Sequence, residues 1–150
     1  MTDIKIAKIN TDAHLKDCLK IRTIVFVQEQ NVSVEEEMDG LDNEADHYLL
    51  WVRDEPVATA RVRLLSGVAK IERVAVLKSQ RGKDIGRKLM EFIISDLKQN
   101  PAIQTLKLGA QVQVIPFYER LGFMAYGDEF MDAGIRHRWM KRTSTTRVDW

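Results

Sequence analysis

The chain has 150 residues, 45% of them hydrophobic and 30% charged, with 23 lysines and arginines against 22 aspartates and glutamates. A net charge of +1 gives no general reason to expect nucleic acid as a partner, and no basic stripe stands out before the C-terminus. A lone Cys18 closes no internal disulfide, no apolar run approaches a membrane span, and the alternating start is unlike a signal peptide, so one cytoplasmic domain is expected, with no membrane partner.

Ile4, Ile6 and Ile9 form a short strand-like opening. Thr11 or Asp12 then caps a helix whose apolar positions are Leu15, Cys18, Leu19, Val25 and Phe26. Arg22 falls inside that stripe and reads as an arginine that buries its stem and snorkels. An acidic segment follows from Val34 to about Leu41. Three β-like runs come next, Tyr48–Arg53, Val57–Leu65 and Ala69–Leu77, with hairpin turns expected at Asp54-Glu55-Pro56 and Ser66-Gly67. Ile85, Leu89, Phe92, Ile93 and Leu97 mark a second amphipathic helix, stopped by Asn100-Pro101. Thr105–Ala110 is a further strand and Val114–Leu121 a short helix ended by Gly122. Phe123–Phe130 and Ile135–Lys141 form a last strand pair joined through Asp132-Ala133-Gly134. Residues 143–150 lack a pattern and read as a loose tail. The expected fold is a single mixed α/β domain over residues 1–150, with a core over about 3–142. Its order is β-α-α-β-β-β-α-β-α-β-β, and its central sheet is mixed and mostly antiparallel.

The most informative stretch joins the β-branched run Glu72-Arg73-Val74-Ala75-Val76 to Gln80-Arg81-Gly82-Lys83-Asp84-Ile85-Gly86-Arg87. A glycine-punctuated loop that opens a helix aims several backbone N–H groups and the positive end of the helix dipole at one spot, which suits a phosphate.

With these residues, the chain resembles the GNAT superfamily of acyl-CoA-dependent N-acyltransferases. Arg81-Gly82-Lys83-Asp84-Ile85-Gly86 matches that family's Q/R-x-x-G-x-G/A loop except at Asp84. Pro116-Phe117-Tyr118-Glu119-Arg120-Leu121-Gly122-Phe123 resembles its helix-to-strand corner, and Glu129 to Ile135 with His137 resembles a subset of small bacterial members. The resemblance implies acetyl-CoA as co-substrate and an N-acetyltransferase domain acting by direct transfer to a primary amine. The loop from Arg81 to Arg87 would cradle the pyrophosphate. Val74 and Val76 would bond the pantetheine arm through their main chain, with Gln111 and Phe117 beside it. Gly109 stands where related sequences often carry asparagine.

Transfer from a thioester to an amine needs a neutral amine and a protonated leaving thiol. The resemblance assigns Glu72 as general base and Tyr118 as general acid. Glu72 also reads as a strand carboxylate paired with Lys70 or Arg73, and Tyr118 as a core tyrosine. His47 and His137 are held in reserve as bases. The run from Glu35 to Asp46 reads as a solvated acidic face, or else as a wall attracting a cationic acceptor. The histidines and cysteine form no metal set. The acceptor is a small molecule or a protein amino group, and homodimerisation is left open. The rival reading is a CoA-binding regulatory or interaction module without turnover.

Overall fold

The computed structural model describes residues 3–144. Its elements are β1 (Ile4–Lys8), α1 (Asp12–Arg22), α2 (Val34–Glu37), β2 (Asp46–Val52), β3 (Glu55–Leu65), β4 (Val68–Val76), α3 (Ile85–Lys98), β5 (Thr105–Gln111), α4 (Ile115–Glu119), β6 (Met124–Asp132) and β7 (Ile135–Thr143). The order matches the expected one. The strands build one seven-stranded sheet in the spatial order β1-β2-β3-β4-β5-β7-β6, antiparallel except where β4 meets β5.

Thr11 caps α1 by accepting the His14 N–H at 3.2 Å. The helix does not stop at Arg22 but loosens into a π-helical segment, Thr23–Glu29, in which the Gln30 N–H reaches back to the Val25 carbonyl. Three hairpins turn on pairs of left-handed residues: Arg53 and Asp54, Ser66 and Gly67, Ala133 and Gly134. Two such residues in succession match the twist of antiparallel strands. The first turn therefore sits one residue earlier than expected, and Pro56, which has no N–H to offer, lies near the start of β3.

One face of the sheet is apolar. Ile85, Leu89, Met90, Ile93, Ile94 and Leu97 of α3 pack onto Tyr48, Leu50, Ala58, Val62, Ile71, Leu106 and Met140. The opposite face carries a smaller cluster, Cys18, Ile21 and Val25 against Leu49 and Ala75, beneath α1 and the π-helical segment. Each aliphatic side chain buried in this way contributes about 1.5–3 kcal/mol relative to exposure. Of the expected tail, Thr143 still belongs to β7. Ser144 is buried, with its N–H donating to the Gln104 carbonyl at 3.1 Å. Residues 145–150 lie outside the described residues.

Candidate active site

β4 and β5 pair only from Val68–Ile71 to Thr105–Leu108, then separate. The cause is visible on the other side of β4. Between the pairs Thr59–Ala75 and Arg61–Glu72 the register slips by one residue, and Arg73 takes a φ of 55°. A bulge of this kind bends a strand and raises its twist. Past the bulge, the Leu77 N–H donates to the Val57 carbonyl at 2.9 Å. Strand alternation then turns the main-chain groups of Val76 and Val74 toward β5 and into the slot. The slot widens into a cavity of about 870 Å³.

The loop after β4 closes one end. Gly82 and Asp84 have φ of 78° and 63°, and α3 begins immediately afterwards. Asp84 holds the N-cap position, its carbonyl accepting the Lys88 N–H at 3.0 Å. Its carboxylate makes no capping bond; it accepts from Arg87 Nη2 at 3.2 Å instead. That bond holds the Asp84 carboxyl below its ordinary range. The α3 N-terminus is thus left without a side-chain cap, as an anion site at a helix start requires. Arg81 spans the slot, Nε donating to the Val76 carbonyl at 3.0 Å and Nη2 to Glu29 Oε1 at 2.7 Å.

An Asp84→Gly variant is expected to bind CoA several-fold more tightly, because a carboxylate beside the cradle is removed and Arg87 is released. Its melting temperature should hold or rise, since glycine adopts the left-handed backbone without cost and no cap is lost. Calorimetric titration and thermal melting of both proteins check this. Weaker binding by the glycine variant would show that the Asp84–Arg87 pair itself shapes the cradle.

Val74, Val76, Arg81, Gly82, Asp84, Ile85, Gly86, Arg87, Gln111 and Phe117 all border the one cavity, as do Glu72 and Tyr118; Lys83 does not. Gln111 donates to Gln30 Oε1 at 2.9 Å across the slot. Gly109 has a packing reason. A Cβ there would lie 3.3 Å from Trp139 and 3.4 Å from Phe130, whose rings stack at 4.7 Å, so an asparagine would push the pair apart.

Tyr118 is buried in α4, edge-on to Phe117 and Phe123 at ring distances of 5.0 and 6.0 Å. Burial pushes its hydroxyl pKa up, so the proton stays on through neutral pH. Glu72 is surrounded by cations. Its Oε1 accepts from Arg61 Nη2 at 2.8 Å and Arg63 Nε at 2.7 Å, while Oε2 meets Arg63 Nη2 at 3.0 Å and Lys70 Nζ at 3.3 Å. Burial would raise its carboxyl pKa, but the Arg63 hydrogen bond and the charges of Arg61 and Lys70 together hold it at about 2. Such a group is a weak base, and both its oxygens are engaged.

His137 also borders the cavity, stacked on Phe130 at 5.6 Å. Its Nδ1 lies 2.7 Å from the Ile135 carbonyl, which can only accept. Nδ1 therefore carries the proton, and in the neutral ring the basic lone pair is on Nε2. His47 stands apart. It is buried outside the cavity lining, its Nε2 donating to the Asp42 carbonyl at 2.9 Å.

The acidic run divides. Glu35, Glu36 and Glu44 stay exposed, and Glu36 borders the cavity, while Glu37, Asp39 and Asp42 turn onto arginines that the sequence scatters. Arg22 is buried, not snorkelling; it donates to Glu37 Oε1 at 3.0 Å and to Asp42 Oδ1 at 2.7 Å. Arg61, fully buried, binds Asp39 at 2.8 Å and Asp42 at 3.0 Å as well as Glu72. Arg73 Nε lies 2.8 Å from Glu37 Oε2 without hydrogen-bond alignment, and its Nη2 reaches Asp39 at 3.2 Å. Among the described residues, no cluster of three or more histidine, cysteine or acidic side chains is arranged to hold a metal ion, and no helix is long and apolar enough to cross a membrane.

A split parallel strand pair, a glycine loop on a helix N-terminus and a buried tyrosine thus border one cavity. The Acetyltransferase (GNAT) domain family matches residues 15–144, and the chain belongs to that family. It is similar to the Bacillus subtilis protein described as uncharacterized N-acetyltransferase YjcF, 39% identical over 87% of this chain and 94% of the other. The crystal structure of Escherichia coli ElaA superposes with a TM-score of 0.82 at 29% identity, covering 95% of this chain and 99% of that one. An acyl-CoA N-acyltransferase from Pseudomonas aeruginosa superposes with a TM-score of 0.81 at 28% identity, over 95% and 99% of the two chains.

Proposed function

We propose that this protein, acting as a single cytoplasmic domain over residues 1–150, moves an acetyl group from acetyl-CoA directly to a primary amine. The observation that carries this reading is the β4–β5 slot, whose cavity is bordered by both Tyr118 and His137. The slot's chemistry fits the donor: β4 main chain beyond its pairing with β5 for the pantetheine amides, with the Val76 carbonyl also taking Arg81 Nε, uncapped helix N–H groups for the pyrophosphate, and a volume near the upper end for small-molecule sites. When bound, acetyl-CoA supplies the thioester carbonyl that the amine attacks.

The chain's own residues divide the remaining work. Val74 and Val76 hold the pantetheine arm as if it were an added strand, with Gln111 and Phe117 on its other side. The loop from Arg81 to Arg87 holds the phosphates. A free alkylamine is mostly ammonium at neutral pH, with a pKa of ~10. His137 Nε2 takes its proton, because it has no hydrogen-bond partner among the described residues while Glu72 is held by three cations. Glu72 then acts as a positioning residue that fixes Lys70 and Arg63. The Tyr118 hydroxyl gives its proton to the departing sulfur. With Tyr118 and His137 both at the slot, turnover is favoured over a CoA-binding module that has lost it.

Release of free thiol from acetyl-CoA on addition of amines tests the reading, and no release with any amine would sink it. Tyr118→Phe is expected to lower kcat by about 10²-fold, the usual scale for a general acid, with acetyl-CoA affinity nearly intact. Unchanged turnover in this variant would place the sulfur's proton donor elsewhere.

A further inference from the structure

Sheet register assembles a feature that no local stretch of sequence contains. Arg63 lies opposite Lys70, Lys70 opposite Lys107, and Lys107 opposite Lys141. Four cations thus stand in one line across β3, β4, β5 and β7, spanning about 14 Å at ordinary strand spacing. Like charges directly opposite one another in a sheet are destabilising. Glu72 relieves the β3–β4 end, where it meets Arg63 and Lys70. It does not relieve the other end. Among the described residues neither Lys107 nor Lys141 has a carboxylate partner. Lys107 Nζ lies 4.4 Å from the centre of the Trp139 ring, and Lys141 Nζ 4.7 Å from that of Tyr126.

The row meets the cavity through Lys70 and Trp139, which border it; Lys107 and Lys141 lie just behind that lining, Lys107 against the Trp139 ring. Trp139 sits on β7 between His137 and Lys141, all on one face of the sheet by strand alternation. The row is not placed for the donor's phosphates. It lies where β4 and β5 are still paired, six residues and about 20 Å of strand before Val76 and the phosphate loop. What remains within reach of it is the acceptor.

We propose that Lys107 and Lys141, with Trp139 beside them, bind an anionic group at the far end of the acceptor. The substrate class is then a small, extended amine with a carboxylate or phosphate remote from the reacting nitrogen, not a polycation. This rests on the acetyl-transfer reading above. Lys141 lies four positions beyond His137 on β7, about 13 Å of strand, which the flexible lysine stems shorten. An anion several bonds from the amine fits that span, whereas an α-carboxylate next to the amine does not reach. The ammonium end approaches His137 and the anion settles where the sheet carries unpaired positive charge.

A matched series tests this: 6-aminohexanoate, 6-aminohexyl phosphate, 6-amino-1-hexanol and 1,6-diaminohexane, followed by thiol release from acetyl-CoA and by calorimetric binding in the presence of CoA. An anionic member is expected to exceed the alcohol about tenfold in kcat/KM, with the diamine lowest. The better anion identifies carboxylate or phosphate as the group recognised. The anion-to-alcohol ratio, taken within each protein, should fall close to one in the Lys107→Gln/Lys141→Gln variant and shrink as salt is raised. A diamine that equals or exceeds both anions, or an unchanged ratio in the double variant, overturns the proposal while leaving acetyl transfer standing. Lysine-dependent binding of an anionic member without thiol release would instead support the subsite and overturn the transfer reading. Absence of both turnover and binding with the two anions would overturn the subsite.

Discussion

His137→Gln is expected to lower kcat about 10³-fold while leaving the affinity for acetyl-CoA within a factor of about two, within the range for a positioned acid–base group. The ring is buried against Phe130, its Nδ1 proton committed to the Ile135 carbonyl, so Nε2 is the nitrogen free to accept. Binding of acetyl-CoA, measured by titration, separates loss of the base from loss of the fold. A variant that keeps its rate would return the base role to Glu72 acting through water, in spite of its bound cations.

The largest expected effect on stability is that of Arg61→Met. Arg61 is fully buried and its guanidinium holds Asp39, Asp42 and Glu72 at 2.8, 3.0 and 2.8 Å. Removing one partner from a buried ion pair typically costs 3–5 kcal/mol. The lower end, about 3 kcal/mol, applies here, because each carboxylate keeps a second cation: Arg73 for Asp39, Arg22 for Asp42, Arg63 for Glu72. Methionine nearly preserves volume, so the loss reports charge and not a cavity. Denaturant unfolding measures it.

The same network sets the acid response. The Glu72 carboxyl lies at about 2 in the folded protein against 4.5 for the ordinary group, and the Asp39 and Asp42 carboxyls are also depressed. Between those values the unfolded chain binds protons that the folded one does not. Stability is therefore fully present above about pH 4.5 and is lost as pH falls toward 2. Arg61→Met should make that acid loss shallower. Equal unfolding free energies and equal acid profiles in the two proteins would mean that Arg61 contributes nothing net.

Local chemistry accounts for what could be read from the residues alone. A glycine and an aspartate before Ile85 announce a left-handed turn and a helix start, and φ values of 78° and 63° at Gly82 and Asp84 follow from residue types that tolerate them. The apolar spacing of α3, the Ala133-Gly134 hairpin and the Gly122 corner are equally short-range, and with them the β/α order and the family. Tyr118 and the Val74–Val76 main chain came with that resemblance, and the fold sets all three on one cavity.

Other features depend on which residues the sheet sets side by side. Nothing near Arg73 in the chain announces a bulge, yet the bulge opens the slot. Arg61 and Arg63 are ordinary strand residues until the register places them beside Glu72, where their charge removes its basicity. The pairing of Glu37, Asp39 and Asp42 could not be read because their partners, Arg22, Arg61 and Arg73, lie far from them in sequence. The lysine row is scattered from residue 63 to residue 141, so the chain's near-neutral charge concealed a local excess. Propensity and turn chemistry act over a few residues and are written in order along the chain. Electrostatic pairing acts over a few ångströms, and only the folded sheet decides which charges come that near.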